Sequence, residues 1–292
     1  MLDVPIDSLH RPLTIVANDA GGANQLIAQL DCVENSDDLR IYMEGPAKSL
    51  WNKFFPDRPL CESLEKAFDG SKTLLTGTGW SSNLEHCARI LAREQGIKSV
   101  VILDHWVNYE ARFTRQHRMV LPDCIWVVDN YALEIASSLF ADLEIKLVDD
   151  FFLKKNLSVV ARTKELNLLL YIAEPVREAY GEITEFAALN YMIENLQKIG
   201  ANENTKIVVR PHPSEPPNKY DKWISKVARY MVVLDSNADL AISVGQANWV
   251  VGLSSYGLVL ALNADKQVFS AIPPNGPDLC LPHPGIVELR YI

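Results

Sequence analysis

Two short stretches present chemically capable side chains where a strand has to stop. In the first, the β-branched run Ile207-Val208-Val209 breaks into Arg210-Pro211-His212-Pro213-Ser214-Glu215. Prolines on either side of His212 fix the backbone and deny it the helical conformation, so an imidazole and a guanidinium are offered on a rigid loop. In the second, Trp249 to Leu253 reads as a strand, Ser254-Ser255-Tyr256-Gly257 as a turn, and Leu258 onward as a helix. Paired serines at a helix N-terminus, after a Gly252 that permits close approach, would bring hydroxyls, N–H groups and a helix dipole to one phosphate. An ordinary serine N-cap accounts for the same pattern.

A third stretch follows the strand Lys98 to Leu103. Asp104-His105-Trp106-Val107-Asn108-Tyr109 packs an acid, an imidazole, an indole, an amide and a phenol into six residues. Asp104 is the candidate general base, with His105 orienting it or replacing it. The competing explanation is an Asp–His hydrogen bond that caps the next helix. Two glycine-bearing loops also follow strands. Leu13 to Ala17 leads into Asn18-Asp19-Ala20-Gly21-Gly22, with a helix expected from about Gln25, and Thr73 to Thr76 leads into Gly77-Thr78-Gly79-Trp80-Ser81-Ser82. Gly21 and Gly22 serve either a tight turn with positive φ or a close approach of substrate. The full G-x-G-x-x-G fingerprint is absent, so no dinucleotide is implied. Ser82 and Glu85 have capping-box spacing ahead of a helix that ends near Gly96, and Gly79 and Ser81 at its entrance are candidate substrate contacts. Asn108, Glu174, Glu215 and Pro273 complete that set, placed by their positions at predicted strand ends.

These loops need a frame that brings strand ends to one edge. Strand and helix signals alternate along the chain, the pattern of parallel sheets with crossover helices, and ligands of such sheets bind outside the carboxyl ends of the strands. The continuous apolar strand Leu166 to Ala173 restarts the pattern, which divides the chain into residues 1–160 and 161–292. The expected fold class is therefore α/β: two Rossmann-like domains with mostly parallel sheets facing a central cleft, Asp104 on one side and His212 with the serine pair on the other.

The composition agrees. The chain has 292 residues, 48% hydrophobic and 22% charged, as in an ordinary globular protein. A net charge of −9 argues against a nucleic-acid-binding surface while leaving room for a small anionic ligand held by local cations and N–H groups. Cys32, Cys61, Cys87, Cys124 and Cys280 are widely spaced and odd in number, which fits reduced thiols. No set of His, Cys, Asp and Glu has metal-ligand spacing, so no metal is expected. The first twelve residues lack an apolar signal-peptide region and no window is long enough for a membrane span, so a cytoplasmic location is expected, compatible with peripheral attachment to the inner membrane.

Two Rossmann-like domains, His212-Pro213 after a strand of the second, and Ser254-Ser255 at a later helix start together resemble the GT-B glycosyltransferases. The likeness is nearest to bacterial CMP-sugar enzymes, the sialyltransferases and Kdo transferases. The resemblance implies that His212, Ser254 and Ser255, with Arg210 and Gly252 beside them, bind the phosphate of a nucleotide sugar, favoured as a CMP-activated acidic sugar. It implies that Asp104 is the base for a glycan acceptor in cell-surface polysaccharide synthesis, with no cofactor. The sialyltransferase acidic motif is two acids followed by glycine, where this chain has Asp104-His105-Trp106. A nucleotide-sugar hydrolase or epimerase of the same fold, or a non-catalytic nucleotide-binding module, satisfies the same residues.

Overall fold

The computed structural model describes residues 4–33, 38–79, 82–160, 167–175 and 183–292. The chain divides into two compact units, Met1–Lys154 and Lys155–Ile292. Each is built around a six-stranded parallel sheet.

In the N-terminal unit the order of elements is β1 (Leu13–Ala17), α1 (Ala20–Leu30), β2 (Leu39–Met43), α2 (Gly45–Phe54), α3 (Leu64–Phe68), β3 (Thr73–Thr76), α4 (Leu84–Glu94) and β4 (Lys98–Ile102). There follow α5 (Tyr109–Phe113), a small hairpin of β5 (Thr114–Arg115) and β6 (Arg118–Met119), then β7 (Cys124–Val127), α6 (Asn130–Leu139), β8 (Glu144–Leu147) and α7 (Phe151–Val159). The strands lie in the order β2-β1-β3-β4-β7-β8. Side-chain alternation splits the apolar residues between the two faces. Leu13, Ile15 and Ala17 join a core with Leu26, Leu30, Trp51 and Trp126, while Val16 and Leu74 join Leu84, Ala88 and Ala92 of α4.

The C-terminal unit repeats the scheme. It runs β9 (Leu168–Ile172), α8 (Glu185–Glu194), β10 (Lys206–Arg210), α9 (Asp221–Lys226), β11 (Val232–Leu234), α10 (Leu240–Gln246), β12 (Trp249–Gly252), α11 (Tyr256–Asn263), β13 (Gln267–Ser270) and β14 (Ile286–Glu288). The strand order is β11-β10-β9-β12-β13-β14. Leu189, Met192, Ile193 and Leu196 form the apolar stripe of α8 and its 3-10 extension, packed on Leu169, Tyr171, Ile207 and Val209.

In both sheets the chain goes outward from the first strand and then returns to its other side. The strand order thus reverses between β1 and β3 in one unit and between β9 and β12 in the other. At such a reversal neighbouring loops diverge and leave a crevice at the carboxyl edge, where ligands of this architecture bind.

Three expectations are corrected. Helix α1 begins at Ala20 rather than near Gln25, because the Asp19 side chain caps it by accepting from Gly22 N at 2.8 Å. Gly21 and Gly22 therefore lie in the first helical turn and not in a positive-φ turn. Ser82 and Glu85 do not form a reciprocal capping box: Ser82 Oγ accepts from Leu84 N, whereas the Glu85 carboxylate reaches across to Asn18 N at 2.7 Å.

Candidate functional site

The crossing of β1 and β3 is built from close backbone approaches that only glycine allows. A methyl group on Gly22 would lie 2.8 Å from Gly77 Cα, and one on Gly21 would lie 1.8 Å from Asp104 Oδ2. A methyl group on Gly79 would lie 2.9 Å from both Asp19 Oδ2 and Glu85 Oε1. The glycines singled out for substrate contact thus make room for carboxylates of the chain itself. Three acids, Asp19 after β1, Glu85 on α4 and Asp104 after β4, converge on this one crossing.

Asp104 is ion-paired locally. Its Oδ1 receives Arg112 Nη1 at 2.6 Å and Thr78 Oγ1 at 3.3 Å, and the same Arg112 nitrogen donates to Thr78 Oγ1 at 2.8 Å. The ion pair is largely buried, with 14% of the Asp104 side chain exposed and 8% of that of Arg112. Arg112 Nε donates to Val107 O, which ties the loop after β4 to α5. His105 accepts from Trp106 N at its Nδ1, and Trp106 Nε1 donates to Asp129, the N-cap of α6. Trp106 is therefore a buried anchor of the loop. Asn108 is exposed and holds the left-handed conformation (φ 59°) that starts α5.

Asp19 has the opposite surroundings. Burial, then the charge of Asp104, push its carboxyl from the usual 3.8 up to about 7, with Glu85 adding to the push and Gly22 N–H and Arg112 opposing it. Glu85 is fully buried and its pKa is raised by desolvation, against the backbone N–H groups of Asn18 and Glu85 itself, the charge of Arg89 and the N–H of Gly79. Asp19 remains partly accessible. Neither Asp19, Glu85 nor Arg112 was singled out from sequence. Asp19 alone carried a local signal, an acid directly after a strand and ahead of an apolar helical pattern.

In the C-terminal unit Arg210 is engaged by its own surroundings. Its guanidinium donates to Asp235 Oδ2 at 2.6 Å, Asn237 O, Ser243 Oγ and Ala238 O. It braces the loop after β11. His212 is held by its main-chain N–H on Glu215 Oε2 at 2.9 Å, and Ser214 N donates to its Nδ1 at 3.2 Å. Its Nδ1 also lies 2.7 Å from Ser214 Oγ. Glu215 is a clamp within the unit, receiving Lys219 Nζ at 2.8 Å and Tyr220 Oη at 2.8 Å.

At the crossing of β9 and β12, Glu174 Oε1 accepts from Ser254 N at 2.6 Å. Ser255 is the N-cap of α11 and its Oγ is buried without a hydrogen-bond partner among the described residues. Gly252 is closely packed, since a methyl group there would lie 3.1 Å from Ile172 O. Pro273 is buried and accepts from Gly276 N through its carbonyl. Ser81 and Trp80 lie outside the described residues. Among the described residues no cluster of three His, Cys, Asp or Glu is arranged to hold a metal ion, and no helix is long and apolar enough to cross a membrane.

The chain is similar in fold to a protein described as a UDP-N-acetylglucosamine 2-epimerase from Listeria monocytogenes. The two share 14% identity and a TM-score of 0.59 over 88% of this chain and 78% of that one. It is similar as well to MurG of Acinetobacter baumannii, at 12% identity and a TM-score of 0.53 over 88% of this chain and 77% of that one. Likeness at such identities is one of fold, two Rossmann-like domains of the GT-B type. No family model matches the sequence, and no curated protein matches it.

Proposed function

We propose that the protein is a nucleotide-sugar-dependent glycosyltransferase. The C-terminal unit would hold the donor's phosphate, and the N-terminal unit would activate an acceptor hydroxyl. Asp19 carries this proposal: a partly accessible carboxyl with a pKa raised to about 7, at the strand-order reversal of a doubly wound sheet. A general base works best when its pKa lies near the operating pH. Asp19 is a better base than Asp104, whose Oδ1 is engaged by Arg112 and Thr78.

The transfer balances without further reactants. Asp19 takes the acceptor's proton as the acceptor oxygen bonds to the anomeric carbon, and the bond from that carbon to the phosphate oxygen breaks with its electron pair going to the phosphate. His212, the Ser255 hydroxyl and the first-turn N–H groups of α11 would meet the charge developing there. Glu174, whose Oε1 accepts from Ser254 N, would accept a ribose hydroxyl with its carboxylate. The donor class favoured is a CMP-activated acidic sugar and the acceptor a glycan of the cell surface, both following from the resemblance of His212-Pro213 and Ser254-Ser255.

A second reaction class, epimerisation or hydrolysis of a nucleotide sugar, is favoured by one observation, the gathering of three carboxylates at a single crossing. Carboxyl groups in contrasting surroundings supply an acid and a base together. Product analysis separates the two: glycan extension for transfer, an isomerised or hydrolysed sugar without acceptor for the alternative.

Thermal shift against CMP, CDP, UDP, GDP and their sugars tests the nucleotide site, because a ligand that binds only the folded state raises the melting temperature. Stabilisation by at least one nucleotide is expected, weakened about tenfold in affinity by His212→Ala, the loss of one good hydrogen bond to a charged group. Asp19→Asn is expected to lower turnover by about 10²- to 10⁴-fold with donor affinity within a few-fold. A folded sample that no nucleotide stabilises would overturn the proposal.

A further inference from the structure

Glu85 is a fully buried acid with one oxygen committed and one not. Oε1 accepts from Asn18 N at 2.7 Å, and Asn18 is the residue that joins β1 to Asp19. Oε2 is buried and has no hydrogen-bond partner among the described residues. Since Asp19 Oδ2 and Glu85 Oε1 would each lie 2.9 Å from one methyl position on Gly79, the two carboxylates flank a single glycine. Burying a carboxylate with an unmatched acceptor is costly for stability, and a group kept at such cost is a candidate for a functional part.

The groups facing this pair come from four elements. Gly22 N–H of α1 donates to Asp19, Asp104 follows β4, Arg112 lies on α5, and Arg89 stands one turn beyond Glu85 on α4. Arg112 is taken up by Asp104, and Arg89 directs its Nε to Val120 O at 3.0 Å. Among the described residues neither guanidinium forms an ion pair with Asp19 or Glu85, although Arg112 opposes the push on Asp19 and Arg89 draws the Glu85 carboxyl down; the like charges that raise Asp19 are Asp104 first and Glu85 second.

We propose that Glu85 is the positioning residue of Asp19: it holds the Asn18 peptide that carries Asp19 and sets a second, buried carboxylate beside it, so that Asp19 gains and loses its proton against a like charge. The proposal rests on Asp19 as the base and assigns to Glu85 a share, after burial and the charge of Asp104, in making an ordinary aspartate basic enough for that work. Glu85 touches no reacting atom. It acts through the place and the proton affinity of its neighbour.

Carboxyl ¹³C NMR titration of the full chain tests it without any substrate. Glu85→Gln keeps an acceptor for Asn18 N and removes the charge, so the Asp19 midpoint is expected to fall by about one pH unit from its value near 7, a tenfold change in proton affinity. Glu85→Ala also loses the Asn18 contact and is expected to broaden or shift the Asn18 and Asp19 amide resonances, which Glu85→Gln should leave in place. An Asp19 midpoint unchanged in Glu85→Gln overturns the role of Glu85 while leaving Asp19 as the base. A midpoint near 3.8 in the unmodified chain overturns both.

Discussion

Replacing Asp19 by Asn should make the N-terminal unit more stable, and only above mildly acidic pH. The folded carboxyl has its pKa raised from 3.8 to about 7, chiefly by burial and by the charge of Asp104. A group with a raised folded pKa costs nothing below its unfolded value. Its penalty grows as pH climbs from about 4 to about 7, and is complete above that. At 1.36 kcal/mol per pH unit the interval sets a ceiling of roughly 4 kcal/mol. Asp19 is partly accessible and its neighbours can relax, so a gain of about 1–3 kcal/mol at pH 8 is expected, falling toward zero near pH 4. The amide retains an oxygen for Gly22 N, so the cap of α1 survives the change. Hydrogen exchange of peptides from β1 and β3, compared at pH 5 and pH 8, reads the effect within this unit alone. A variant that exchanges faster than the parent at pH 8, or whose advantage is the same at both pH values, would show that Asp19 is not held at such an unfavourable proton affinity.

Two further predictions follow from the same crossing. Gly21→Ala would place a methyl group 1.8 Å from Asp104 Oδ2, with helix α1 unable to yield locally, and should lower stability by about 2–4 kcal/mol, seen as a reduced denaturation midpoint. A midpoint close to the parent's would mean that the loop after β4 moves freely. Arg112→Ala leaves Asp104 buried without its partner and should cost about 3–5 kcal/mol, whereas Arg112→Ala with Asp104→Ala should recover part of the loss. Simple additivity of the two would contradict a coupled buried pair.

The larger frame could be read from local pattern. Runs such as Leu-Thr-Ile-Val-Ala and Lys-Ile-Val-Val-Arg are buried strands, and the spacing of Leu189, Met192, Ile193 and Leu196 is that of a helix face against a sheet. Short elements escaped: α3, the β5–β6 hairpin and β14 have five residues or fewer, too few for a period to show. The C-terminal candidates His212, Ser254 and Ser255 were found because proline and serine mark loops and caps by their own covalent chemistry.

Roles decided by distant partners were not legible. Arg210 and His212 look alike as loop cations in the sequence, yet Asp235, 25 residues on, claims the guanidinium. Glu85 has the spacing of a capping box with Ser82 and instead bonds Asn18, 67 residues away. Asp104 is conspicuous in its cluster of functional groups, but Arg112 and Thr78 engage its Oδ1, and the unremarked Asp19 becomes the basic acid of the crossing. The sequence by itself determined where strands end and which side chains stand on the loops beyond them, because these follow from backbone preference within a few residues. Which of those side chains keeps an available charge was decided only by the tertiary structure. Proton affinity depends on burial and on charges within a few ångströms, and the residues that supply both are far apart in the chain.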